Sequence, residues 1–94
     1  MKKILIVEDQ MLARKYLCSC IEKSTECEVA SALTRADAAL QRCGEGHIDL
    51  VMMDICTENN SSGIIYGGKI KEQFPNIKVI LMKQSKNTIH GSRS

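Results

Sequence analysis

Long hydrophobic runs are missing from this 94-residue chain. A helix that crosses a bilayer needs about 20 consecutive apolar residues, and the apolar stretches here end at strand length. Lys2 and Lys3 lead into a short apolar segment rather than a longer hydrophobic region with a small-residue cleavage site, so no secretory signal is expected. Both absences point to a cytoplasmic protein without a membrane partner. Glycine is absent from the turn Glu8-Asp9-Gln10 that follows the first apolar run. A dinucleotide-binding turn needs glycines to admit a pyrophosphate, and two acids there would repel it. CxxC pairs are absent too, although five cysteines are present (18, 20, 27, 43 and 56). An odd number within apolar patterns reads as reduced, buried thiols. Acids are absent from residues 83–94, which carry three basic residues, whereas residues 1–82 hold ten Lys/Arg against eleven Asp/Glu. The net charge of +2 therefore comes from the end of the chain, and the body is no nucleic-acid surface. Repeats are absent, and the length leaves no room for a second module.

What is present is an alternation. Ile4–Val7 is apolar and β-branched, as a strand buried on both faces would be. Residues 10–23 set Ala13, Leu17, Cys20 and Ile21 on one face of a helix and Arg14, Lys15, Ser19, Glu22 and Lys23 on the other. Cys27–Ser31 alternates apolar and polar, as an edge strand does. Thr34 is placed to cap a second helix, with Asp37 at the capping-box position and Gly44 at the end. A third strand runs from Asp49 to Asp54, and residues 55–63 form a polar loop. Tyr66, Ile70 and Phe74 recur at helical spacing before Pro75 stops the segment; Gly67 and Gly68 within it imply close packing on a sheet. Ile77–Met82 is a fourth apolar strand. The order β-α-β-α-β-α-β implies a parallel sheet with right-handed crossovers, so the α/β class.

Two strands stop on acids. Ile4–Val7 ends on Glu8-Asp9, and Leu50-Val51-Met52-Met53 ends on Asp54. Ligands of open parallel sheets gather beyond the strands' carboxyl ends. Three carboxylates crowded there require raised pKa values or a cation. Helix capping would explain one of them but not three.

The segments KILIVEDQ, DLVMMDI, the loop closed by Gly63, and FPNIKVILM resemble the receiver domain of bacterial two-component response regulators, over residues 2–82. The resemblance implies a flavodoxin-like (CheY-like) three-layer α/β/α fold with sheet order 2-1-3-4. It implies a phosphoacceptor that takes a phosphoryl group from a histidine kinase or phosphotransfer protein, with only weak self-catalysed chemistry rather than enzyme activity. By the same resemblance Asp54 is the phosphoacceptor, Glu8 and Asp9 hold Mg²⁺, and the backbone carbonyl of Cys56 joins the metal shell. Mg²⁺ suits such a site because it takes hard oxygen ligands and shares them with phosphoryl groups.

The chain also departs from the family. Lys83 stands where receivers carry a Thr or Ser after the fourth strand, the loop after Asp54 lacks Met-Pro and is one residue longer, and the fifth strand with its Lys and the last helices are not matched. Lys83 or Lys86 is the candidate replacement for the cation, and Ser85 for the hydroxyl. The expected organisation is a partial receiver over residues 1–82 and a polar basic tail over 83–94, with any DNA-binding output lying in a separate domain. An alternative is a degenerate receiver that binds a partner without phosphoryl transfer. With strand four at a sheet edge, a homodimer through residues 77–82 is expected.

Overall fold

The structure, a computed structural model, describes residues 1–55 and 60–83, apart from the side chains of residues 60–62. The sequence expectations for Cys56, Ser85, Lys86 and the rest of the tail after Lys83 lie outside the described residues. The elements are β1 (Lys2–Val7), α1 (Met11–Glu22), β2 (Cys27–Leu33), α2 (Ala36–Gly44), β3 (Leu50–Asp54), α3 (Asn60–Gln73) and β4 (Lys78–Met82). They build one parallel sheet in the order β2-β1-β3-β4. This is the parallel α/β sheet that the alternation of strands and helices implied, in the order 2-1-3-4 that the resemblance implied.

The central position of β1 follows from its composition. Ile4, Leu5, Ile6 and Val7 are all buried, which a strand can sustain only with neighbours on both edges and cover on both faces. The chain steps outward from β1 to β2 and back past β1 to β3, so crossovers of one hand place α1 and α2 on opposite faces. Leu5 and Val7 join Ala39, Cys43, Ile48, Val51, Met53 and Ile70 in the core beneath α2 and α3. Ile4 and Ile6 point the other way, toward α1. That second layer is thinner: α1 buries none of its residues completely.

Several local expectations are corrected. α1 leans over β2, where Cys18 lines a shallow groove with Ala32, so Cys18 is half-buried and Cys20 is exposed. Burial pushes the Cys18 and Cys43 thiols up from their ordinary pKa, yet only Cys43 is fully buried among the described cysteines. β2 continues to Leu33, and its register against β1 slips between Val29 and Ser31, leaving Ala30 as an extra residue. Such a bulge reverses the inside–outside alternation partway along the strand. Arg35, not Thr34, is the last extended residue before α2 (φ −126°, ψ 138°), and it makes no side-chain cap. Asp37 therefore falls one residue too early for a capping box and bonds to the Ala38 N–H and to Arg35 instead. α3 begins at Asn60, which takes Gly63 out of the loop and into the helix. Gly67 does pack on the sheet, since a Cβ there would lie 2.9 Å from the Leu81 side chain, whereas Gly68 faces open space.

Candidate functional site

Strand register brings the acids together. Val7 pairs with Met53 across the β1–β3 ladder, so the next residues, Glu8 and Asp54, stand level at the carboxyl ends of adjacent strands. Both backbones are tied down: the Glu8 N–H donates to the Leu33 carbonyl (2.9 Å) and the Ile55 N–H to the Met82 carbonyl (2.8 Å). α3 presses close behind Asp54, because a Cβ on Gly63 would come within 3.2 Å of the Asp54 carbonyl oxygen. One oxygen from each of Glu8, Asp9 and Asp54 lies within 4.8 Å of the others. The trio singled out in the sequence is one constellation in space.

Its members differ in environment. Glu8 is 1% exposed and Asp54 5%, while Asp9 faces solvent. Glu8 Oε2 accepts the Gln10 N–H at 3.0 Å, and the Arg14 guanidinium donates to the Glu8 carbonyl rather than to its carboxylate. Glu8 Oε1 is buried and has no hydrogen-bond donor among the described residues. Burial, reinforced by the facing Asp54 carboxyl, pushes the Glu8 carboxyl up to about 7. A buried oxygen surrounded by other carboxylates is satisfied by a proton or by a cation. Hard, hydrated divalent ions take such oxygen donors, so the residues present fit Mg²⁺.

The acids form one wall of a cavity of about 400 Å³. Val7 of β1, Thr34 and Arg35 from the β2–α2 turn, Ala36 and Asp37 at the start of α2, and Gly63 and Tyr66 from α3 form the rest. Sequence reasoning missed Arg35 and Tyr66. Signals for both were present: all carboxyl ends of a parallel sheet share one edge, so the turn after β2 must reach the same crevice as those after β1 and β3, and Tyr66 stands one helical turn beyond Gly63. Lys83 follows directly on Met82, the register partner of Asp54, and is exposed; it does not line this cavity.

A family model described as the response regulator receiver domain matches residues 4–92. The oxygen regulatory protein NreC of Staphylococcus haemolyticus is 28% identical over 80 residues, which is 85% of this chain and 37% of that protein. The chain thus spans little more than a third of the curated relatives it matches. Among solved structures, the response regulator TrrA of Thermotoga maritima in complex with Mg²⁺ and BeF superposes with a TM-score of 0.78 at 29% identity, over 92% of this chain and 72% of that one. A DNA-binding response regulator of the LuxR family from Staphylococcus aureus has the same TM-score of 0.78 at 21% identity, over 96% of this chain and 74% of that one, a likeness of fold alone. Among the described residues no helix is long and apolar enough to cross a membrane.

Proposed function

Because the chain belongs to the family of response regulator receiver domains, we propose that it accepts a phosphoryl group on Asp54 from a histidine kinase or phosphotransfer protein, in the cytoplasm and with Mg²⁺. The observation that carries the proposal is the convergence of Glu8, Asp9 and Asp54 oxygens within 4.8 Å beside a cavity large enough for a phosphoryl group. The Mg²⁺–BeF complex of TrrA supports the same choice of metal and ligand. Glu8, Asp9 and Asp54 would hold the ion, and the backbone carbonyl of Cys56 is a further proposed ligand. When bound, Mg²⁺ offsets the charge of the carboxylates and the incoming phosphoryl oxygens.

The chain's own residues set the remaining conditions. Asp54 is the nucleophile: its Oδ forms the bond to phosphorus as the donor's P–N bond breaks and the imidazole leaves with the electron pair. The β3–β4 ladder pairs the Asp54 backbone with Met82, and the residue lines the cavity, which supports that role. Little covalent chemistry is left for the protein beyond positioning and charge stabilisation, so slow self-catalysed transfer rather than multiple-turnover enzyme activity is proposed. Incubation with Mg²⁺ and acetyl phosphate is expected to add one phosphoryl mass to the intact chain. Asp54→Asn or chelation of Mg²⁺ should abolish the addition. Absence of labelling in the wild type would leave the alternative of a receiver fold that binds a partner without phosphoryl transfer.

A second proposal concerns association. β4 pairs only with β3 among the described residues, and Ile80 and Leu81 are 42% and 43% exposed. Lys78 is the one charge on this apolar strand, and one edge Lys is weak protection against strand pairing. Two copies can pair such strands antiparallel about a twofold axis. Light scattering at rising concentration is expected to show a dimer for the wild type and a monomer for Ile80→Lys. A wild type that stays monomeric at high concentration rejects the seam.

A further inference from the structure

Transfer of a phosphoryl group to Asp54 replaces one carboxylate charge with about two phosphoryl charges, in a crevice that also holds the carboxyl groups of Glu8 and Asp9. A divalent cation offsets only part of that charge. A fixed positive group in the cavity lining would stabilise the transferring oxygens without competing for the metal's place among the acids. The cavity has such a group in Arg35. This side chain belongs to the β2–α2 turn and lines the same cavity as Glu8, Asp9 and Asp54.

Arg35 is held in place without being used up. Its Nε and Nη2 donate to the two carboxylate oxygens of Asp37 at 3.0 and 2.8 Å, a two-point contact that fixes the plane of the guanidinium. A guanidinium carries N–H donors on more than one edge, in a geometry that matches phosphate oxygens. Asp37 occupies the Nε/Nη2 edge, and Nη1 takes no part in that contact. Tyr66 lines the same cavity, and the Lys69 ammonium sits 5.0 Å from the Tyr66 ring centroid. The Arg35–Asp37 pair is solvent-exposed, and exposed ion pairs contribute little to folding. Its position at the cavity wall is thus better explained by binding than by stability.

We infer that Arg35, oriented by Asp37, is a phosphoryl-binding cation of this site. The inference rests on Asp54 as the phosphoacceptor. Acetyl phosphate supplies the test substrate: the Asp54 Oδ–P bond forms, the P–O bond to the acetyl group breaks, and acetate leaves with the electron pair. Arg35 neither gives nor takes a proton.

The experiment follows Asp54 labelling of the full chain by intact mass, with Mg²⁺ and a series of acetyl phosphate concentrations. Arg35→Gln is expected to slow labelling about tenfold, the loss of one solvent-accessible charged hydrogen bond, and Arg35→Lys to fall between it and the wild type. Asp37→Asn, which removes the orienting contact, should slow labelling less than Arg35→Gln. Mg²⁺ binding in the absence of phosphodonor should be unchanged or tighter in Arg35→Gln, and its thermal melt unchanged; a merely structural role would weaken both. Labelling of Arg35→Gln at the wild-type rate overturns the inference and leaves the function of Asp54 standing. So does a loss that appears in Lys83→Gln and not in Arg35→Gln, which would assign the charge to the end of β4. No Mg²⁺-dependent labelling of the wild type overturns the phosphoacceptor reading itself, and the inference with it.

Discussion

Leu5→Ala is expected to cost about 3–4 kcal/mol and to lower the melting temperature by roughly 15–25 °C. Leu5 is wholly buried in the middle of β1, the one strand whose residues pair with both β2 and β3. Its side chain fills the core between the sheet and α2 and α3, where Val7, Val51, Met53 and Ile70 also meet. Truncation there loses the transfer free energy of the deleted methyl groups and leaves a cavity that a strand anchored on both edges cannot collapse. A domain of this length has roughly 5–14 kcal/mol of total stability, so one substitution removes a large share of it. Leu12→Ala is the matched control, because Leu12 is 80% exposed on α1 and its loss should stay within about 0.5 kcal/mol. Urea titrations check both: the midpoint should fall for Leu5→Ala with the slope unchanged. Equal midpoints for the two variants would mean that β1 is not the centre of the core.

The reason β1 was legible in the sequence is the reason it is sensitive. A strand covered on both faces reads as an unbroken apolar run, and Ile4–Val7 and Leu50–Met53 are such runs, each stopping on the acids that now share a crevice. The acidic trio follows from those two stretches together with the gathering of ligands beyond the carboxyl ends of parallel strands, and the sheet order from the family resemblance. β2 was harder, because the extra residue at Ala30 changes which side chains face inward and no single-residue signal marks a bulge. α1 was misread by one position, with Cys20 placed inside and Cys18 left out, because the tilt of a helix over β2 is set by packing and not by its own periodicity. At the start of α2 the local propensity of Thr34 to cap lost to the extended backbone at Arg35, and that shift frees Asp37 to orient the arginine. Local rules thus failed where the chain turns into the site, and there the third dimension supplied what they could not: Arg35 and Tyr66 share the cavity with acids more than ten residues away along the chain.

Glu8→Gln is expected to raise the stability of the metal-free protein at pH 8 and to abolish its response to Mg²⁺. The Glu8 carboxyl titrates near 7 in the folded protein, chiefly because it is buried and secondly because Asp54 faces it, against an ordinary value of 4.5. Between those values the folded chain holds a proton that the unfolded chain has released. Stability from this group is therefore fully present below about pH 4.5, declines as pH rises, and is gone above about pH 7. A neutral amide does not titrate. In the presence of a chelator, the wild type should lose about 2 kcal/mol more than Glu8→Gln between pH 5 and pH 8, roughly 10 °C in melting temperature. Mg²⁺ reverses the order at pH 8, because an ion that binds only the folded state stabilises it by mass action, about 2.7 kcal/mol at a hundred times its dissociation constant. On the proposed assignment of Glu8 as a ligand only the wild type keeps that carboxylate for the ion, so millimolar Mg²⁺ should raise its melting temperature and leave that of Glu8→Gln nearly unmoved. Asp9→Asn should also lose the Mg²⁺ response, but without the metal-free gain, since Asp9 faces solvent. On the same assignment proton and metal compete for Glu8, so the wild-type response to Mg²⁺ should shrink as pH falls below 7. Thermal melts across pH 5–8, with chelator and with Mg²⁺, measure all of these shifts. If wild type and Glu8→Gln respond to Mg²⁺ alike at pH 8, the ion is bound elsewhere and the shared crevice of Glu8, Asp9 and Asp54 is not its site.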